Sequence, residues 1–180
     1  MEIRLEPFQR TDIPRLLSWV RSEEFLIQWA GPFFIHPLDE IQLLKYWESG
    51  QGENAIRRIY RVSITDPEPK VIGHIELNNI DWRNRAGAVS KVLIGERQYL
   101  GKGYGVQMVD ALLKIAFDEL HLHRMELKVF DFNEPAIHAY QKVGFVIEGH
   151  LRDYRRVGEQ YWSSYLMSIL EDEWRERQSQ

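Results

Sequence analysis

Apolar and polar positions alternate in some stretches of this 180-residue chain and recur at helical spacing in others. Residues 2–6 alternate charge with apolar side chains, the pattern of an edge strand. Segments 11–21 and 39–48 carry helical periodicity. Between them, Trp29-Ala30-Gly31-Pro32-Phe33-Phe34 reads as a loop, because Gly-Pro interrupts either period. Strands are expected near 58–65 and 70–80, joined by Asp66-Pro67-Glu68-Pro69, where two prolines impose a turn. A short β-branched run predicts a further strand at 86–95. Val106, Val109, Leu113, Ala116, Phe117 and Leu120 then outline a helix over 104–120 with one buried face. Strand 124–130, helix 134–143 and strands 145–152 and 160–169 follow, the last two turned at Val157-Gly158-Glu159-Gln160. From Glu171 the chain is charged, as in a frayed helix. This order predicts an α+β fold: a mixed, mostly antiparallel sheet with helices on both faces. No linker or repeat divides it, so residues 1–170 are expected to form one domain and 171–180 a charged tail.

Composition narrows the function classes. Apolar residues make up 44% of the chain, with six Trp, eight Tyr and eight Phe, so a packed core is expected. Cysteine is absent, which excludes an acyl-cysteine intermediate and a thiolate metal site. The six histidines show no metal-ligand spacing, and no metal is expected. Net charge is −4, which argues against a nucleic-acid partner. The N-terminus does not resemble a signal peptide, and no apolar run approaches membrane-spanning length. The expectation is a cytoplasmic protein without membrane contact. Arg152-Asp153-Tyr154-Arg155-Arg156, with Tyr161 and Trp162 beyond, is a basic–aromatic patch that fits a solvated hairpin or an acceptor contact.

The chemistry is concentrated at two strand-to-helix junctions. Leu100-Gly101-Lys102-Gly103-Tyr104-Gly105 places a glycine at every second position just where a helix begins. Without side chains, backbone N–H groups can approach a ligand, and a helix N-terminus adds unpaired donors and partial positive charge. Together these features suit a phosphate or pyrophosphate. A P-loop is excluded because Gly103, not Ser or Thr, follows Gly101-Lys102. A dinucleotide fingerprint also fails, since the third glycine would fall on Val106 or Met108. At the second junction, Asn133 is a good N-cap, Pro135 is tolerated in the first turn, and Gly144 fits the left-handed closing position. Ala136, Tyr140 and Val143 share one face of that helix.

With both junctions read, the chain resembles the GNAT superfamily of N-acetyltransferases over roughly residues 2–170, and within it the Rim-type branch. That branch includes protein N-terminal acetyltransferases and spermidine N-acetyltransferases. The family's pyrophosphate loop, [Gln/Arg]-x-x-Gly-x-[Gly/Ala], is matched from Leu100 to Gly105, with Leu100 the one departure. The second motif is matched at Asn133, Ala136, Tyr140 and Gly144-Phe145. The resemblance implies a splayed strand pair holding acetyl-CoA as co-substrate. It assigns coenzyme contacts to Val92, Leu93 and Ile94, to Leu100, Gly101, Lys102, Gly103, Tyr104, Gly105 and Val106, and to Asn133, Ala136, Tyr140 and Lys142. A bulge in the strand at 86–95 would open the gap between the pair. Tyr140 is the expected acid for the departing thiolate. Glu76 alternates away from Val71, Ile75 and Leu77 and is expected to face a cleft, which makes it the first candidate base. Ser90 stands where many Rim-type members carry a glutamate, so that candidate is missing, and Glu23, Glu24 and Glu126 are further options. The implied acceptor is a primary amine, either a small molecule such as a polyamine or a protein N-terminus. Trp29, Phe33, Phe34, Tyr154 and Trp162 are candidate walls for it, and the aromatic C-terminal strands suit a homodimer contact. A sensor or subunit that binds CoA without turnover is the alternative reading.

Overall fold

The computed structural model describes residues 3–65 and 68–179. Glu2 of the first expected strand, Asp66 and Pro67 of the double-proline turn and Gln180 of the tail lie outside the described residues. Seven strands form one sheet: β1 (Ile3–Pro7), β2 (Arg58–Ile64), β3 (Lys70–Asp81), β4 (Ala86–Ile94), β5 (Arg124–Phe130), β6 (Val146–Val157) and β7 (Gln160–Leu170). Their order across the sheet is β1-β2-β3-β4-β5-β7-β6. Every neighbouring pair is antiparallel except β4 and β5. A parallel pair needs a crossover, and the helix Tyr104–Lys114 supplies it.

The helices are α1 (Ile13–Trp19), α2 (Glu23–Ala30), α3 (Glu40–Ser49), α4 (Tyr104–Lys114), α5 (Glu134–Val143) and α6 (Glu171–Gln178). They cover the two faces of the sheet and create two separate cores. On one face Met108, Leu112 and Phe117 pack with Ile75, Leu77, Met125 and Leu127, all closed to solvent or nearly so. On the other, Leu16, Leu26, Leu43 and Tyr46 pack with Phe8, Ile59 and Leu93. After Lys114 the α4 backbone widens into a π-helical turn, Ile115–Glu119, so the helical segment ends where the apolar spacing predicts.

Two sequence expectations are corrected here. The loop expected at Trp29 and Ala30 is the last turn of α2, whose start is marked by Ser22, its side chain accepting a hydrogen bond from the Phe25 N–H. Gly31-Pro32 ends the helix and does not replace it. The tail is not a frayed helix. Trp174 is buried against Phe117 at a ring separation of 5.5 Å, Arg175 pairs with Asp118, and Arg177 donates to the Lys142 carbonyl at the end of α5. One buried aromatic outweighs a run of charges, because the charges sit on the solvent side while the indole removes a large apolar surface from water.

Candidate active site

The site begins with an interrupted pairing. β4 and β5 are in register only at Ala86–Arg124, Gly87–Met125 and Ala88–Glu126. Beyond those pairs the strands separate, and β4 carries a bulge there: Lys91 and Val92 stand where β3 has only Ile75. Lys91 has φ +49, a left-handed conformation that is costly for a side-chain-bearing residue. Gly95 donates its N–H to the Ile72 carbonyl across the β3 side. Peptide groups alternate along a strand, so Leu93 also faces β3, and Val92 and Ile94 turn their N–H groups to the gap.

A cleft of ≈ 1250 Å³ runs through this gap. At one end it is lined by Leu100, Gly101, Gly103, Tyr104, Gly105 and Val106. Gly101 has φ +72 and Gly103 φ +82. A Cβ built on either would meet nothing within 4 Å, so the backbone lies open to whatever occupies the cleft. Gly103 is the N-cap of α4, and no side chain caps that helix. The bare turn is thus a cradle for an anion, formed by main-chain donors. The second wall is the first turns of α5: Asn133, Ala136, Tyr140 and Lys142 all border the cleft. The Asn133 side chain caps the helix by accepting from the Ala136 N–H at 3.4 Å. Gly144 closes the helix at φ +112, as the sequence predicts.

Tyr140 is half-buried in that wall, and its hydroxyl makes no hydrogen bond with another described residue. Burial pushes the hydroxyl up to about 12, so near neutrality it stays protonated and can donate. Leu93 and Lys102 do not line the cleft. Leu93 is buried in the core beneath α1–α3, and Lys102 is exposed, its Nζ 5.9 Å from the Tyr99 ring centre.

Glu76 is also displaced from its expected place. It has no exposed surface and stands one layer behind the cleft. The Lys91 Nζ lies 2.5 Å from its Oε2, the Ser90 hydroxyl donates to the same oxygen at 3.0 Å, and Arg57 stands 3.2 Å from Oε1. Lys91 and Ser90 do line the cleft and separate Glu76 from it. Burial lowers the Lys91 pKa and Glu76 opposes that shift. Phe33 and Tyr46 cover the cluster: the Lys91 Nζ is 4.2 Å from the Phe33 ring centre and the Arg57 guanidinium 4.7 Å. Behind it, His74 is hydrogen-bonded to the Tyr46 hydroxyl at 3.0 Å. Sequence reasoning missed Lys91 and Arg57. A lysine inside the apolar run Val89-Ser90-Lys91-Val92 was the available signal, since such a strand position is buried on one face or the other.

Of the expected acceptor walls, Trp29, Phe33 and Tyr154 line the cleft. Phe34 is buried against Trp29, and Trp162 packs on Phe130 and Phe132. Among the described residues no cluster of histidine and carboxylate side chains could hold a metal, and no helix is long and apolar enough to cross a membrane.

Comparison with known proteins decides what this geometry belongs to. The family model described as acetyltransferase (GNAT) domain matches residues 2–146. The chain belongs to the GNAT acetyltransferases. It is similar to the spermidine N(1)-acetyltransferase of Vibrio cholerae, 28% identical over 157 residues, which is 80% of this chain and 90% of that protein. It is also similar to the spermidine N(1)-acetyltransferase of Escherichia coli K12, 24% identical over 173 residues, 96% of this chain and 88% of that one. The crystal structure of the Vibrio cholerae spermidine N-acetyltransferase in complex with CoA and spermine shares the fold, with a TM-score of 0.82 and 24% identity over 96% of this chain and 98% of that chain. The GNAT chain described here is an N-acetyltransferase with acetyl-CoA as co-substrate and an amine as acceptor. The sensor reading is set aside accordingly. The open glycine turn fits the coenzyme's diphosphate, and the gap beside Val92 and Ile94 offers N–H groups to its extended arm as an added strand would.

Proposed function

We propose direct transfer of the acetyl group to a primary amine, with coenzyme and acceptor held together in the one cleft. The observation that carries this reading is continuity: a single cavity joins the glycine turn, the β4–β5 gap, Tyr140 and the Trp29–Phe33 wall. Acetyl-CoA supplies an activated thioester; the chain supplies everything else. Main-chain donors at Gly101 to Val106 hold the diphosphate, and Asn133, Ala136 and Lys142 flank the arm. The Val92 and Ile94 N–H groups face the developing oxyanion, whose stabilisation is the larger part of such catalysis. Tyr140 gives its proton to the departing thiolate.

The acceptor must lose a proton before it can attack. For a lysine-like amine at pH 7 this costs roughly 4.6 kcal/mol. Lys91 and Arg57, two cations sharing Glu76, leave the cleft wall positive, and positive surroundings disfavour the ammonium form. Glu76 therefore acts as a positioning residue that anchors Lys91, and Lys91 sets the field. The amine belongs to a small molecule or a protein N-terminus. An acetyl-CoA-dependent enzyme of this kind is expected in the cytoplasm, and the C-terminal strands offer the surface for a homodimer.

Tyr140→Phe tests the assignment. Thiol release from acetyl-CoA across a panel of amines should fall roughly a hundredfold to ten-thousandfold in kcat, the usual range for losing a general acid. Affinity for acetyl-CoA should change little. A variant as fast as the parent would remove Tyr140 from the proton path.

A further inference from the structure

We propose that the preferred acceptor carries a carboxylate near the amine that is acetylated, an inference that rests on the transferase reading above. The acceptor end of the cleft holds two cations without counter-ions among the described residues. Lys128 on β5 and Arg155 on β6 both line it and flank the Tyr154 ring, the Lys128 Nζ at 5.8 Å and the Arg155 guanidinium carbon at 5.1 Å from the ring centre. Neither forms an ion pair with a described residue. The Arg155 Nε is buried with no hydrogen-bond partner, and its Nη2 lies 3.7 Å from where a Cβ on Gly31 would stand, so the guanidinium is wedged against the bend after α2. A buried donor left unmade is costly, and a carboxylate in the cleft would supply the missing acceptor.

The surrounding charge has the same sign. Glu126 is the one carboxylate among the described residues lining the cleft, and the Arg124 Nη2 is 3.3 Å from it. Lys91 in the wall and Arg57 behind it share Glu76 alone among the described residues. A cleft lined by one sign of charge concentrates ligands of the other sign and repels its own. A polyamine would bring several positive charges into this field with one guarded carboxylate to receive them. A carboxylate would meet a guanidinium whose fork matches its two oxygens and an ammonium opposite, with Trp29, Phe33 and Tyr154 bordering an apolar stem. The chemistry therefore selects an amino-acid-like acceptor, distinct from the spermidine named for the Vibrio cholerae and Escherichia coli relatives above.

Calorimetry on the full chain saturated with CoA tests this directly. The probes are a ladder of ω-amino carboxylates and α-amino acids, each titrated beside the amine that lacks the carboxylate, with spermidine as the polycation. At least one carboxylate should bind about tenfold tighter than its partner amine, the ratio expected of one charge-assisted hydrogen bond. Spermidine should be weaker than that carboxylate. Lys128→Gln and Arg155→Gln should each shrink the ratio; Lys128 is exposed, so its variant keeps the test valid if loss of Arg155 harms folding. A ratio near one, spermidine as the tightest ligand, or a ratio unmoved in both variants would overturn the proposal. Thiol release measured on the same ladder separates the two levels of inference. Turnover absent for every amine, with the carboxylate preference intact, would strike the transfer mechanism and leave the charge assignment standing.

Discussion

The two ends of the cleft are built from different materials. The coenzyme end is mostly main chain: glycines at left-handed φ, an uncapped helix N-terminus, and strand N–H groups freed by a splayed pair. The acceptor end is side chain throughout: aromatic rings over a buried carboxylate with two cations, and an arginine and a lysine without an ion-pair partner among the described residues. Main-chain recognition tolerates wide change in sequence so long as the backbone path is kept. Side-chain recognition depends on a few residues brought from α2, β3, β4, β5 and β6, and can change its ligand by changing one of them. This chain keeps the fold of its relatives at 24% to 28% identity and is free to differ at the acceptor end.

The largest expected effect that tells the ends apart is acid sensitivity. His74 lies under the acceptor cluster, and burial, with Lys91 second, lowers its pKa to about 3 from 6.5. The folded protein thus refuses a proton that the unfolded chain accepts. The stability conferred by the neutral ring is complete above pH 6.5 and is lost as pH falls from there towards 3, on the order of 5 kcal/mol in all. Urea unfolding at a series of pH values should show this slope, and His74→Gln should flatten it. An unchanged slope would place the acid sensitivity elsewhere.

Next comes Glu76→Gln. It leaves Lys91 and Arg57 buried without their counter-ion, a loss of about 3–5 kcal/mol in unfolding free energy. Affinity for CoA should hardly move, because Glu76 is buried and does not line the cleft. A matched fall in CoA affinity would show that the two ends are coupled. Gly103→Glu should do the reverse. Binding of acetyl-CoA by calorimetry is expected to weaken at least about a hundredfold, from like charge at the diphosphate cradle, while stability falls only by the order of 1 kcal/mol that a left-handed non-glycine residue costs. Smallest is a gain: Leu100→Arg restores the family's usual side chain at an exposed position and should tighten CoA binding by about tenfold, the worth of one charge-assisted hydrogen bond. No gain would mean that the main-chain donors already satisfy the phosphates.

Much of the coenzyme end was legible from residue order. Glycine at alternate positions before an amphipathic helix, and Asn133 with Gly144 bracketing a short one, are local signals, and the structure places both at the cleft. Leu93 faces away from the gap because a bulge shifts which residues face it. The Lys102 side chain lies off the cleft because a flexible lysine next to a glycine turn has no local determinant of direction, and only its main chain belongs to the turn.

By itself, residue order determined the strands, most of the helices but not α2, the glycine turn and the family, since these depend on local backbone preference and on the period of apolar side chains. Only the tertiary structure decided that Glu76 is sealed behind Lys91, that Trp174 pins the charged tail, and that Arg155 and Lys128 meet across Tyr154. Those relations join segments far apart in the chain, and their energies arise from burial and from charge in a low-dielectric setting, which exist only once the chain has packed.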